Sequence, residues 1–133
     1  MSYIVTLAEH QLSTNLHVEN TSQDSDVLEF QALLHNYILA PADDVTITPL
    51  KGITYYDKTE STDEARAAPK IESREEVTVS KYTDSVYEDG PLEYHLSWPH
   101  MFLDIKTKDF KDVVVWNPQE EGQKIGDMEP GGW

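Results

Sequence analysis

The sequence predicts an all-β fold of antiparallel strands, and three features carry that reading. Hydrophobic residues alternate with period two rather than 3.6, turn-forming pairs recur between short apolar segments, and a single segment reads as a helical turn. In Leu12-Ser13-Thr14-Asn15-Leu16-His17-Val18-Glu19, the residues Leu12, Thr14, Leu16 and Val18 share one face while Ser13, Asn15, His17 and Glu19 share the other. That is the pattern of a half-buried strand.

The other elements follow in chain order. Residues 20–26, rich in Asn, Thr, Ser and Asp, form a connection, and residues 30–39 are a nearly continuous apolar run broken by His35 and Asn36. Its length permits a helix. The neighbouring strands and the stop at Pro41 favour a strand buried on both faces, with His35 on the side of Leu33 and Tyr37. Further short strands are expected at 45–48, 53–56, 76–80, 92–96, 101–106 and 113–116. Between them Lys51-Gly52, Asp89-Gly90-Pro91 and Asn117-Pro118 supply turn chemistry that suits antiparallel neighbours better than long helical crossovers. The helical turn is expected over 62–68, capped by Thr62 or Asp63 and limited by Pro69. An antiparallel β-sandwich is the consequence.

Length and charge narrow the function. A chain of 133 residues fits one domain, taken as 1–133. The formal charge of −15, from 25 acidic against 10 basic residues, argues against nucleic acid and anionic membrane as partners. The cations Arg66, Lys70, Arg74 and Lys81 are interleaved with Glu72, Glu75 and Glu76, which cancel most of their field. There is no cysteine, so disulfide scaffolds, thiolate zinc sites and cysteine nucleophiles are excluded together. Met1-Ser2-Tyr3 begins no signal-like segment, and no window approaches the roughly 20 apolar residues of a membrane span. A soluble, cytoplasmic protein is expected.

Most candidate chemistry is weak. His10, His17, His95 and His100 have no metal-ligand spacing and are expected in surface or packing roles. Neither a G-x-S-x-G elbow nor a nucleotide fingerprint is present. Arg66 and Arg74 read as solvated surface charge. Trp98, Trp116, Tyr55 and Tyr94 read as core aromatics at alternating positions, with a sugar-stacking platform as the other reading. His35 is more informative, because an imidazole inside an apolar segment needs a hydrogen-bond partner and can move protons near neutral pH. It is either a satisfied core histidine or a general acid.

The residues around His35 carry a resemblance. The run Leu28-Glu29-Phe30-Gln31-Ala32-Leu33-Leu34-His35-Asn36-Tyr37-Ile38 resembles the histidine-bearing strand of the glucose-6-phosphate 1-epimerases, with its L-L-H-x-Y pattern. Lys51-Gly52-Ile53-Thr54-Tyr55-Tyr56-Asp57-Lys58 is similar to the turn and aromatic strand that follow in that family. Tyr82-Thr83-Asp84-Ser85-Val86-Tyr87 resembles its T-D-x-V-Y segment, and Val115-Trp116-Asn117-Pro118 its W-N-P segment. Upstream, Val5-Thr6-Leu7 and residues 12–20 resemble the preceding hairpin, so the likeness runs in order along essentially the whole chain.

The resemblance implies a galactose-mutarotase-like sandwich, present in part, that interconverts the α and β anomers of glucose 6-phosphate without metal or organic cofactor. His35 then matches the acid that protonates the ring oxygen, and Asp84 the aspartate that binds sugar hydroxyls. Apart from the resemblance, Asp84 reads as a turn aspartate making an Asx hydrogen bond. Glu129-Pro130-Gly131 mimics the E-P-G pattern of the family's catalytic base. Residues 124–129 are polar and glycine-containing, however, and resemble the loop before the base-bearing strand. The resemblance therefore implies a base beyond Trp133 and phosphate-binding arginines before Met1, with activity impaired in this chain. Two other readings stand beside it: a non-catalytic carbohydrate-binding or interaction fragment of the same fold, and an unrelated acidic binding sandwich.

Overall fold

The computed structural model describes residues 1–24 and 26–124, in two compact units, Met1–Tyr37 and a second that begins at Ile38. In the first unit β1 (Ser2–Ala8) and β2 (Gln11–His17) form an antiparallel hairpin. Ala8 pairs with Gln11, which leaves Glu9 and His10 as the turn, and Tyr3, Val5 and Leu7 lie opposite Leu16, Thr14 and Leu12. The alternation expected over 12–19 is thus realised as one apolar face. Thr14 and Leu16 are half-buried on it, while Leu12 stays exposed; Val18, just past the end of β2, is also half-buried.

Residues 20–24 and 26 form no strand or helix, as expected of a connection, and are tied together by their own side chains. Asn20 donates to the Asp26 carbonyl at 2.8 Å, and the Ser22 amide donates to Asn20 Oδ1 at 3.0 Å, an Asx-type turn.

The buried strand expected over 30–39 is not formed. The backbone there is irregular, His35 is exposed, and Leu33 and Leu39 are 72% and 92% exposed. A strand is a property of a pair, because its amides and carbonyls need a neighbouring ladder. No described strand pairs with this run, so apolar composition alone does not make it one.

The second unit contains β3 (Thr46–Thr48), β4 (Thr54–Asp57), α1 (Asp63–Ala67), β5 (Lys70–Ile71), β6 (Val77–Thr78), β7 (Thr83–Tyr87), β8 (Glu93–Trp98), β9 (Met101–Lys106) and β10 (Val113–Asn117). A 3₁₀ helix, Gln119–Lys124, follows. The strands form two four-stranded antiparallel sheets, ordered β10-β7-β4-β5 and β6-β3-β8-β9. Among the described residues the fold is therefore all-β, with one short α-helix and one 3₁₀ helix.

One hydrophobic cluster joins the sheets. Ile47, Val77, Tyr94 and Leu96 enter it from one sheet, Tyr87 and Val115 from the other, and Leu50 and Val79 from connections. Tyr87, Leu50 and Val77 are fully buried, and each such side chain contributes about 1.5–3 kcal/mol relative to exposure. Alternation assigns the faces: on β7 Thr83, Ser85 and Tyr87 are buried while Asp84 and Val86 are half-exposed. The helix begins at Thr62, whose Oγ1 accepts from the Ala65 amide at 3.2 Å, and ends at Ala68, ahead of Pro69. Among the described residues no helix is long and apolar enough to cross a membrane.

Candidate functional face

The face of the β10-β7-β4-β5 sheet that turns away from the core collects the residues best suited to a ligand. Val115 on β10 and Tyr87 on β7 point into the core, so their sequence neighbours point outward. Register then aligns them in rows. Trp116 lies opposite Asp84 and Val114 opposite Val86, while Tyr56 of β4 lies opposite Val86 on its other side. The ladder continues past β4, because the Lys58 amide donates to the Asp84 carbonyl at 2.7 Å. Two rows result, Trp116–Asp84–Lys58 and Val114–Val86–Tyr56. Directly opposed side chains start about 4.5–5.5 Å apart at Cβ, so one small molecule can span a row.

Lys58 is held in place. Its ammonium stands 5.1 Å from the centroid of the Tyr56 ring and donates to the Arg66 carbonyl at the end of α1 at 3.2 Å. Asp84, by contrast, has no hydrogen-bond or ion-pair partner for its carboxylate among the described residues. Burial pushes its carboxyl up from the ordinary aspartate value, the Lys58 charge opposes that, and the Asp57 charge adds to it, with a net upward shift. Asp57 itself is satisfied. Burial pushes its carboxyl up too, but hydrogen bonds from Thr59 and Lys70 outweigh it and hold the group down. Thr59 donates to Oδ1 from its hydroxyl at 2.6 Å and its amide at 3.1 Å, and Lys70 reaches Oδ2 at 3.1 Å and Glu60 at 2.5 Å.

The two residues singled out by sequence belong to different units. His35 lies in the irregular part of the first, where its ring meets that of Tyr37 with centroids 4.8 Å apart and planes inclined by 40°. It is exposed, so the core-histidine reading is corrected. Asp84 lies within β7 of the second unit, and a mid-strand carboxylate without a local amide replaces the Asx-turn reading. Glu129 falls outside the described residues.

The aromatics divide. Tyr94 is core, Tyr55 and Trp98 pack against the core, and Trp116 occupies the outward face. His10, His17, His95 and His100 are exposed. His95 contacts Asp104 at 2.6 Å and stacks on Phe102 at 5.6 Å. Among the described residues no three His, Cys, Asp or Glu side chains are grouped to hold a metal.

Sequence reasoning missed the network around Glu72. That carboxylate is 3% exposed and accepts from Arg74 Nε at 2.9 Å, Arg74 Nη2 at 2.7 Å and the Tyr87 hydroxyl at 2.8 Å. Arg74 is therefore no free surface charge: it neutralises a buried anion. No local pattern announces this, because Glu72 stands in a polar stretch. Lys58 was legible in principle, since Thr54, Tyr56 and Lys58 continue one face of a strand. No family model matches the chain, and neither a curated protein nor a solved structure matches it significantly.

Proposed function

We propose that the chain binds a hexose 6-phosphate on the face formed by Trp116, Asp84 and Lys58 and belongs to a glucose-6-phosphate 1-epimerase of the galactose-mutarotase-like type. The observation that carries the reading is the Asp84 carboxylate, unpaired among the described residues and opposite Trp116 across a strand pair. An ionised carboxylate accepts hydrogen bonds from sugar hydroxyls, and an indole covers the apolar C–H face of a pyranose. The fit of Asp84 to the T-D-x-V-Y segment supports the same role.

The chemistry of the reading is general acid–base catalysis without a covalent intermediate. A base removes the proton of the anomeric hydroxyl while an acid protonates the ring oxygen. The ring opens, the C1 group turns, and closure on the other face gives the second anomer. His35 is the acid in this scheme, in keeping with its place in the L-L-H-N-Y run. Its imidazole is accessible rather than enclosed in a core, as a proton donor to a ligand must be. Cytoplasmic residence follows from the substrate class.

A second reading, carbohydrate binding without turnover, is favoured by one observation. The row Trp116–Asp84–Lys58 is built wholly within the second unit and needs no contribution from His35. Adding glucose 6-phosphate to isotope-labelled protein tests both: resonances of the Trp116 indole and the Asp84 amide are expected to shift, and Asp84→Asn to suppress the shift. Magnetisation exchange between the sugar's anomeric protons then separates catalysis from binding. Absence of any shift at Trp116 would sink both readings.

A further inference from the structure

We infer that Lys58 is the positioning residue of this face, holding Asp84 as an ionised hydroxyl acceptor and offering a donor of its own beside it. The inference deepens the sugar-binding reading and rests on it for the ligand, although the relationship between Lys58 and Asp84 is measurable without one.

The geometry is that of a charge placed near, but not on, its counter-charge. The bond from the Lys58 amide to the Asp84 carbonyl makes the two residues cross-strand neighbours. The ammonium is nonetheless committed elsewhere, to the Tyr56 ring and the Arg66 carbonyl. Arg66 is itself anchored, with Nη1 donating to the Glu60 carbonyl at 2.7 Å and Nη2 to Asp63 at 2.5 Å. Lys58 and Asp84 consequently form no ion pair among the described residues, where a direct bridge would occupy the acceptor positions a sugar needs. The remaining charged group acting on Asp84 is Asp57 of β4, bound by Thr59 and Lys70, while β10 (Val113–Asn117) contributes no ionisable residue. Lys58 is thus the counter-charge that offsets burial and Asp57.

This arrangement selects chemistry. A carboxylate accepting beside an ammonium donating fits a vicinal diol, in which one hydroxyl donates a hydrogen bond to Asp84 and its neighbour accepts one from a remaining N–H of Lys58. A phosphate in the same place would meet the Asp84 charge at close range. The row therefore takes the hydroxyl edge of the sugar, with the phosphate directed away from it.

Carbon-detected NMR titration of the Asp84 carboxyl in the whole chain tests the first half. The midpoint is expected to move up in Lys58→Met and to return in Lys58→Arg, with backbone spectra confirming that both variants fold. An unchanged midpoint in Lys58→Met would overturn the inference. Titrations with glucose and glucose 6-phosphate test the second half: Lys58→Met is expected to weaken both by a common factor of about ten, the size of one charged hydrogen bond. A loss confined to the phosphorylated sugar would overturn the hydroxyl-edge assignment. If wild-type protein binds neither sugar while the Asp84 midpoint still responds to Lys58, the sugar reading fails and the coupling stands.

Discussion

The Tyr87 hydroxyl donates to Glu72 Oε2 at 2.8 Å, so the fully buried ring of β7 ends on an equally buried anion whose charge Arg74 neutralises through two hydrogen bonds. Tyr87 also stacks on Tyr55 of the adjacent strand, with ring centroids 5.1 Å apart. This network secures the inward side of the strand that carries Asp84 on its outward side.

Burial would raise the Glu72 carboxyl. Hydrogen bonds from the Arg74 side chain and amide, the Tyr87 hydroxyl and the Arg74 charge outweigh it and hold the group at about 2, against an ordinary 4.5. A depressed folded value means that the unfolded chain takes up the proton first, so the stabilisation is complete above about pH 4.5 and lost as pH falls towards about 2. A shift of this size corresponds to about 3 kcal/mol. Glu72→Ala is expected to lower unfolding stability by that order at pH 7, read from the urea midpoint, and by progressively less below pH 4.5. A loss independent of pH would assign the effect to packing alone.

Gly90 is required for a reason unrelated to its torsion angles. A methyl group there would press against the Tyr94 hydroxyl and approach Val113, while the Gly90 amide is committed to the Lys111 carbonyl at 2.8 Å. Tyr94 is buried, so its ring has little room to yield. Gly90→Ala is expected to cost about 1–3 kcal/mol, as overpacking usually does. Tyr94→Phe removes the opposing oxygen, so the double variant should lose less stability than the two single losses added together, measured by denaturant unfolding. Strict additivity would show that the contact is not the cause.

The sequence was informative wherever one strand's own pattern decides the outcome. β9 falls on the expected residues 101–106, and the Thr62 cap starts the helix before Pro69 ends it. Those signals are local: alternation, a capping hydroxyl, a ring that cannot continue a helix. β5, only Lys70–Ile71, carried no such signal and exists through its pairing with Thr54 and Tyr55. In sequence, β7 presents as a motif rather than as a strand, since Asp84 and Ser85 dilute its apolar character. The run over 30–39 failed in the opposite direction, with a strand's composition and no paired strand among the described residues. The outward row is similar: Trp116, Asp84 and Lys58 are far apart in sequence and become neighbours only through register.

For His35 the expected outcome concerns rate. In a hybrid that places this chain between the flanks of a full-length glucose-6-phosphate 1-epimerase, His35→Ala is expected to slow anomer exchange by about 10²–10⁴-fold, the usual contribution of one general acid. Sugar affinity should change little, because the proposed site assigns the hydroxyl contacts to Asp84. Exchange spectroscopy corrected for the spontaneous rate measures the effect. Unchanged turnover would mean that the proton reaches the ring oxygen from another group.

Asp84 gives the prediction that best separates a binding residue from a structural one. Its carboxyl is pushed up by burial, and upward again by the Asp57 charge, with Lys58 opposing both. A raised folded value has the opposite sign from that of Glu72: the folded chain holds the proton more tightly, so stability falls as pH rises from the ordinary 3.8 through the folded value. At neutral pH the ionised group therefore burdens the fold. Asp84→Asn removes that charge while keeping the size of the side chain, so it is expected to raise the denaturation midpoint at pH 7. The gain should shrink as pH falls and vanish below the ordinary value, where both side chains are neutral. The same variant is expected to lose sugar-induced shifts at Trp116, because an amide is a weaker acceptor for hydroxyl protons than a carboxylate. More stable and less able to bind is the signature of a residue kept for a ligand. A variant less stable at pH 7 would instead make Asp84 a structural group and remove the carboxylate on which the proposed site depends.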